Sequence, residues 1–188
     1  MSISKSLFLC SAVALLGFNL LFGQERYKTT RGIVEFNAST PLEDIEAINR
    51  EVNSILSSSG EFAVVLLIRD FQFPRKLMQE HFNENYLESD TYPKSYFAGK
   101  LEAIDPDLIS ETPENVKLTG KLKLHGITKK VSVPGTVYRT KKGIRLESNF
   151  ILSPEDYGID IPTLMFKKIA KKVKVSFTFE LVKTVMSD

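Results

Sequence analysis

The sequence predicts an all-β protein whose antiparallel strands close into one barrel. Apolar and polar residues alternate regularly along several runs of its second half, and short turns containing Gly or Lys separate these runs. Period-two alternation with one apolar face is typical of half-buried strands, and short turns join antiparallel neighbours. No long amphipathic helix is available to cover the apolar face of an open sheet. Closing the sheet on itself buries that face and removes the sheet edges.

Residues 1–23 have the pattern of a secretory signal peptide. One lysine, Lys5, precedes an apolar run over residues 7–22, and the first acidic residue is Glu25. That run is short for a membrane span, which needs about 20 apolar residues. We therefore predict cleavage near Gly23 and a mature chain that is periplasmic or secreted, with an uncleaved anchor as the weaker alternative. Residues 24–188 then suit a single barrel domain.

The composition of residues 24–188 argues against several classes of protein. The only cysteine of the chain, Cys10, lies in the predicted leader, so the mature part has neither disulfides nor a thiol nucleophile. The whole chain has 25 Lys and Arg, and removal of the leader with its Lys5 leaves 24, against 23 Asp and Glu. This near balance predicts no nucleic-acid partner. The lysine groups at 121–123, 129–130, 141–142, 167–168 and 171–174 are interpreted first as solvated surface and second as a transient attraction to anionic lipid headgroups. The sequence leaves the oligomeric state open.

Seven runs are predicted as strands from their alternation. In chain order they are GIVEFNA (32–38), EFAVVLLI (61–68), KSYFAGKLEAI (94–104), VKLTGKLKLHG (116–126), KKVSVPGTVYR (129–139), GIRLESNFIL (143–152) and KVKVSFTFELV (172–182). About eight strands make a barrel just wide enough to hold side chains or one small ligand.

The segment 41–56, PLEDIEAINREVNSIL, gives a conflicting pattern. Its apolar residues stand at 42, 45, 48, 52 and 55, which is helical spacing, and Thr40 could cap a helix that starts at Pro41. By itself this pattern favours a helix.

A polar stripe is the most conspicuous candidate for chemistry. On a helix that begins near residue 81, His81, Glu84 and Glu88 would share one face, as a metal site or an acid/base site would require. A catalytic zinc usually has three protein ligands with supporting partners, and one imidazole with two exposed carboxylates is a poor set. We therefore predict a solvent-facing stripe and no metal site.

Met78, Phe82 and Tyr86 form a second, apolar stripe at spacing four. It could plug one mouth of the barrel or contact a ligand tail, because a barrel ligand site is lined by the same residue types as a core. Further along the chain, Gly126 and Gly158 are predicted at tight turns, and His125 could hydrogen-bond across its turn. No phosphate loop, dinucleotide fingerprint, GxSxG or metal-binding cluster occurs, so we predict neither an enzyme nor a cofactor.

Three sequence blocks closely resemble the YceI family of lipid/polyisoprenoid-binding proteins. They are LMQEHFNENYLESDTYPKSYFAGKL, GKLKLHGITKKV and SPEDYGI, and the similarity runs from about Tyr27 to Val182. The resemblance implies an extended, lipocalin-like antiparallel β-barrel of about eight strands with one or two short helices. It also implies that residues 42–56 form a strand, since tertiary pairing overrides local propensity. The family's aspartate and histidine before the first strand are absent from YKTTRGIVEF, so no role of theirs is transferred.

The resemblance implies a periplasmic carrier that holds a long apolar lipid, a polyisoprenoid or an isoprenoid quinone, in the barrel interior. The alternatives are an envelope-stress or partner-binding module with a self-filled barrel, and a lipid-modifying enzyme with His81 and Glu84 as acid and base. A headgroup is expected near Tyr86, Tyr92 or Tyr157, whose phenols could hydrogen-bond at an apolar edge. The residues predicted to line the cavity are Phe62, Val64, Leu66, Met78, Phe82, Tyr86, Phe97, Leu118, Leu122, Phe150, Phe177 and Phe179.

Overall fold

Eight strands form a closed antiparallel barrel in which each strand pairs with the next and the last pairs with the first. The computed structural model describes residues 26–102, 104–162, 165 and 167–184. The predicted fold class is confirmed. The strands are β1 (Arg26–Asn37), β2 (Glu46–Ser57), β3 (Glu61–Leu67), β4 (Lys94–Glu102), β5 (Glu114–Leu124), β6 (Ile127–Arg139), β7 (Ile144–Leu152) and β8 (Val173–Thr184).

The connections at the two ends of the barrel differ in length. At the lower end, β2–β3 and β6–β7 are joined by short turns, and β4–β5 by a longer connection that contains a 3-10 turn (Pro106–Leu108). The upper end carries the β1–β2 connection, the β5–β6 turn and two long segments, 68–93 and 153–172. The first long segment contains a short helix, α1 (Lys76–His81), that continues into a π-helical turn (Phe82–Tyr86). The upper end is therefore the covered end.

Residues 46–57 form strand β2, so the helix that their apolar spacing suggests is wrong and the strand implied by the resemblance is correct. The misleading pattern comes from polar residues on the buried face. Asn49 is fully buried, where its side-chain amide donates to the Leu67 carbonyl oxygen at 2.9 Å and its side-chain oxygen accepts from the Glu51 amide at 2.9 Å. Ser54 is buried as well. Pairing with β1 and β3 outweighs local periodicity here because both neighbours need this strand.

The lower half of the barrel is filled by its own side chains. Its inward residues are almost completely buried: Tyr27, Val52, Leu56, Leu101, Val137, Ile144, Leu146 and Leu181. Polar bonds tie the lower end: the Tyr27 hydroxyl donates to Asp107 Oδ1 at 3.0 Å, and Arg139 Nε donates to the Ile109 carbonyl oxygen at 2.9 Å. Burial, and then the hydrogen bond to Asp107, raises the pKa of Tyr27.

Two glycines set the height at which this packed core ends. Gly99 on β4 and Gly120 on β5 lie directly opposite each other, and both face inward. The Phe97 ring covers them: a methyl group on Gly120 would lie 2.7 Å from the ring and 2.5 Å from the Ala98 carbonyl oxygen. Both positions therefore need glycine for close approach rather than for an unusual backbone conformation.

Four phenylalanines, Phe62, Phe97, Phe177 and Phe179, form what we call the aromatic floor. The ring centroid of Phe62 lies 6.0 Å from that of Phe97 and 6.0 Å from that of Phe179. The Phe177 ring stacks on the Phe179 ring with a centroid distance of 4.7 Å. Such offset and tilted contacts are the favourable geometries for aromatic pairs. The aromatic floor separates the packed lower half from the upper half of the interior.

We expect Gly120→Ala to lower the free energy of unfolding by about 1–3 kcal/mol, because the added methyl group overlaps Phe97 and the β4 backbone. Urea unfolding followed by far-UV circular dichroism measures the change. Lys121→Ala, on the outer face of the same strand, is the control and should change stability by less than about 0.5 kcal/mol. Equal stability of the two variants would contradict the close approach described here.

Candidate functional site

The interior above the aromatic floor encloses a cavity of about 450 Å³. This lies within the roughly 300–1,000 Å³ that small-molecule sites occupy. Inward-facing side chains of β1 and β3 to β8 line its wall, and most of them are apolar. Period-two alternation along each strand places these apolar side chains inside and the lysines of β5 and Lys174 of β8 outside. The arrangement is suited to holding an apolar group.

All twelve residues predicted to line the cavity border it. Phe62, Leu118 and Phe179 are nearly fully buried and belong to its bottom, whereas Val64, Leu122 and Phe150 are only partly buried and face the open volume. The role of these twelve residues as ligand contacts stays a prediction.

The first cover of the cavity is the segment that contains α1. Phe82 anchors it: its ring stacks on Phe36 of β1 at 5.4 Å and contacts Phe73 at 5.0 Å and Phe71 at 5.7 Å. Met78, Phe82 and Tyr86 all border the cavity from this cover. The apolar stripe therefore helps to close the upper end of the barrel and faces the cavity, and its contact with a ligand tail stays a prediction.

Sequence reasoning missed the second cover, which consists of the described residues 153–162, 165 and 167–172. Two hydrogen bonds fix it to the β1–β2 connection, from the Ala170 amide to the Ala38 carbonyl oxygen at 2.9 Å and from the Thr40 hydroxyl to the Lys167 carbonyl oxygen at 2.8 Å. The signal that could have identified it is a series of apolar residues without strand alternation. Its cavity-lining members are Pro154, Ile159, Ile161, Met165 and Ile169.

The cavity reaches solvent between the two covers. Of the described side chains that border it, only Arg75, Leu77, His81 and Lys168 are exposed, which marks this place as the mouth. Arg75 also forms an ion pair with Glu43 across the mouth. This hydrogen bond from the guanidinium, helped by the charge of Lys168, holds the pKa of the Glu43 carboxyl below its usual value.

Of the three tyrosines considered for a headgroup, only Tyr86 borders the cavity. No described residue hydrogen-bonds its hydroxyl, and partial burial raises the pKa of Tyr86. Tyr157 is buried within the second cover, where burial and then Asp156 raise its pKa, and Tyr92 packs against His125. Neither Tyr92 nor Tyr157 borders the cavity, so Tyr86 is the tyrosine that the structure places where a headgroup was predicted.

These contacts join the three conspicuous sequence blocks at the upper end. His125 Nδ1 donates to the Tyr157 carbonyl oxygen at 3.1 Å, its ring lies 4.5 Å from that of Tyr92, and its Nε2 lies 3.5 Å from Glu88 Oε2. A methyl group on Gly126 would lie 2.8 Å from the Tyr92 ring. The predicted left-handed turn at Gly126 is present, with φ of 76°. The blocks therefore fasten both covers to the β5–β6 turn.

A family model of the YceI-like domain matches residues 24–181. The chain belongs to the YceI-like domain family. No curated protein sequence matches it.

Solved structures share this YceI-like fold at low sequence identity. A polyisoprenoid-binding domain from Saccharophagus degradans, implicated in plant cell wall breakdown, superposes with a TM-score of 0.72 at 17% identity, covering 87% of this chain and 99% of that one. BcnA of Burkholderia cenocepacia superposes with a TM-score of 0.67 at 16% identity, covering 81% of this chain and 96% of BcnA. A YceI protein of Campylobacter jejuni superposes with a TM-score of 0.51 at 16% identity, covering 85% of this chain and 86% of that protein.

In this YceI-like chain the polar stripe is not assembled into one site. Glu88 turns to His125, while His81 is exposed at the mouth. The described residues contain no group of three or more His, Cys, Asp or Glu side chains placed to hold a metal ion. Nor does the described part contain a helix long and apolar enough to cross a membrane. The predicted leader, residues 1–23, lies outside the described residues.

The two histidines of this YceI-like protein should respond differently to replacement. We expect His125→Asn to lower the free energy of unfolding by about 1–3 kcal/mol, through loss of the bond to Tyr157 and of the ring contact with Tyr92. Asn is chosen because it tolerates the left-handed backbone at this position, where φ is 48°. His81→Asn should change stability by less than about 0.5 kcal/mol, since this side chain is exposed. Chemical denaturation of both variants measures the two changes. A larger loss of stability in His81→Asn than in His125→Asn would contradict the structural role given to His125.

Proposed function

We propose that this protein is a carrier for a chain-like apolar lipid, a polyisoprenoid or an isoprenoid quinone, which it holds in the cavity above the aromatic floor. The observation that carries the proposal is the half-hollow interior: an apolar cavity of about 450 Å³ above the aromatic floor, with its exposed lining residues at the upper end of the barrel. Its binding needs neither a metal nor a cofactor.

Burial of the apolar chain supplies the largest favourable free energy for such a ligand. A water occupies about 30 Å³, and a methylene group is of similar size, so the cavity accepts about 15 carbon atoms. At about 0.8 kcal/mol for each buried methylene, the gross gain is about 12 kcal/mol. Association itself costs about 4–15 kcal/mol, so the apolar chain contributes most of the affinity and polar contacts add the remainder. About three isoprene units fill this volume, and a longer chain leaves its other units at the mouth.

The structural neighbour from Saccharophagus degradans supports the ligand class, since it is described as a polyisoprenoid-binding domain. At 17% identity that likeness establishes the fold alone, so the extension of the ligand to this chain is part of the proposal. The choice between a polyisoprenoid alcohol and a quinone depends on the headgroup. The Tyr86 hydroxyl at the cavity and the polar groups at the mouth could hydrogen-bond either one.

The rival function is a partner-binding module whose barrel is filled by its own side chains. The packed lower half favours it, and the open upper half opposes it. Enzymatic activity on a lipid has no supporting feature: among the described residues His81 has no hydrogen-bonded carboxylate that would make it an acid/base pair.

Leu122→Trp tests the carrier proposal because this side chain faces the open volume from β5. The indole should occupy ligand space and lower the amount of lipid bound per protein, while overpacking lowers stability by only about 1–3 kcal/mol. Organic extraction of the purified protein followed by mass spectrometry measures bound lipid, and added polyprenol or quinone measures uptake.

Lys123→Trp is the matched control, because the same side chain is added at the next residue of the strand on the outer face. It should leave bound lipid unchanged. Wild-type protein that carries no lipid and takes up neither polyprenol nor quinone would defeat the carrier proposal and favour the partner-binding module.

We propose further that the carrier works in the periplasm after removal of residues 1–23. The support is the order of one lysine, an apolar run and polar sequence at the start of the chain. N-terminal sequencing of protein from envelope fractions should give a start near Gln24. A start at Met1 in membrane-bound protein would contradict this localisation.

A further inference from the structure

We infer that the mouth of the cavity docks on an anionic phospholipid bilayer, so that a lipid chain moves between membrane and barrel without crossing water. The inference rests on the proposed carrier function and assigns to the mouth a partner and an orientation. Docking would place the upper end of the barrel on the membrane and leave the lower end facing away from it.

Three chain segments form one continuous surface around the mouth. The 40–44 turn is tied to the start of α1 by the ion pair between Glu43 and Arg75, and to the second cover by the hydrogen bond from Thr40 to Lys167. The Ala170 amide also donates a hydrogen bond to the Ala38 carbonyl oxygen in the β1–β2 connection. We call this the mouth surface and define it as residues 40–44, 75–81 and 167–172.

Two large apolar side chains of the mouth surface, Leu42 and Leu77, protrude into solvent. Leu42 is 66% exposed and Leu77 is 62% exposed, and among the exposed large apolar residues of the described chain only Leu108, at the lower end, exceeds them. Leu77 also borders the cavity. Apolar tips that continue into an apolar cavity fit the hydrocarbon edge of a bilayer, where such side chains leave water.

The mouth surface also carries an excess of positive charge. Its basic residues are Arg75, Lys76, Lys167, Lys168, Lys171 and Lys172, and its acidic residues are Glu43, Asp44 and Glu80, which gives 6 − 3 = +3. All six cations are exposed. Basic residues beside apolar tips attract anionic lipid headgroups, which is the charge complementarity that a membrane surface offers.

A second basic surface on the protein lacks the other features and so provides a control. Lys121 and Lys130 lie directly opposite each other on the outer wall of β5 and β6, and Lys123 lies on the same face. This wall has no opening to the cavity, because the inward side chains of both strands lie between it and the interior. If net charge alone attracted the protein to membranes, both surfaces would contribute equally.

Vesicle flotation tests the inference on protein purified from cells that express the full chain. Vesicles of phosphatidylcholine with phosphatidylglycerol should bind the wild type, and vesicles of phosphatidylcholine alone should bind it much less. Lys168→Glu with Lys172→Glu should weaken binding by at least about tenfold, from the loss and reversal of two charges near the surface. Leu42→Ser with Leu77→Ser should weaken binding and slow the transfer of lipid from vesicles.

Lys121→Glu with Lys130→Glu makes the same change of charge on the wall and should alter binding by about twofold or less at physiological salt, because exposed charges beyond the screening length act weakly. Equal losses for the wall pair and the mouth pair would overturn the inference. So would light scattering that shows a dimer of the wild type which dissociates in the Leu42→Ser, Leu77→Ser variant, since the mouth surface would then contact a second copy.

Lipid uptake from a cyclodextrin complex separates this inference from the carrier function. Wild-type protein that takes up lipid from cyclodextrin but does not float with anionic vesicles would overturn membrane docking and leave the carrier proposal standing. Uptake from cyclodextrin that persists in Leu42→Ser, whose side chain does not border the cavity, with slower transfer from vesicles, would support docking as a separate step.

Discussion

The structure depends on closure of the sheet through the pairing of β1 with β8. This pairing joins residues that are more than 130 positions apart in the chain, with Phe36 opposite Val175 and Val34 opposite Phe177. Without it both strands would leave a row of unpaired backbone groups and an exposed apolar face. Closure converts the inward side chains of all eight strands into one interior, so every property of the cavity follows from it.

Within the closed barrel, the aromatic floor decides which part is core and which part is cavity. Gly99 and Gly120 allow the Phe97 ring to lie against the wall, and Phe62 and Phe179 complete the level below which side chains fill the barrel. The packed lower half supplies stability to a molecule whose upper half buries less. One domain thereby combines a rigid base with space for a ligand.

The long connections cover the upper half without sealing it. One is held by a cluster of phenylalanines around Phe82, the other by backbone bonds to the β1–β2 connection, and His125 links the two through Glu88 and the Tyr157 carbonyl oxygen. The mouth lies where the covers meet, with charged and apolar groups side by side. A carrier needs such a boundary, because its ligand must leave an apolar interior and enter another apolar phase.

The sequence by itself determined the period-two pattern of most strands, and with it the barrel and the inward positions of residues such as Val64, Leu122 and Phe177. These follow from local alternation, because on a strand each inward residue is two positions from the next. Only the tertiary structure decided that residues 46–57 form a strand against their local periodicity, since the buried Asn49 amide donates to the Leu67 carbonyl oxygen of the neighbouring strand. It also placed the Tyr92 ring and the Tyr157 carbonyl oxygen against His125, and brought Ile159, Met165 and Ile169 over the cavity. Contacts between distant segments set all three, and such contacts leave no periodic trace in the chain.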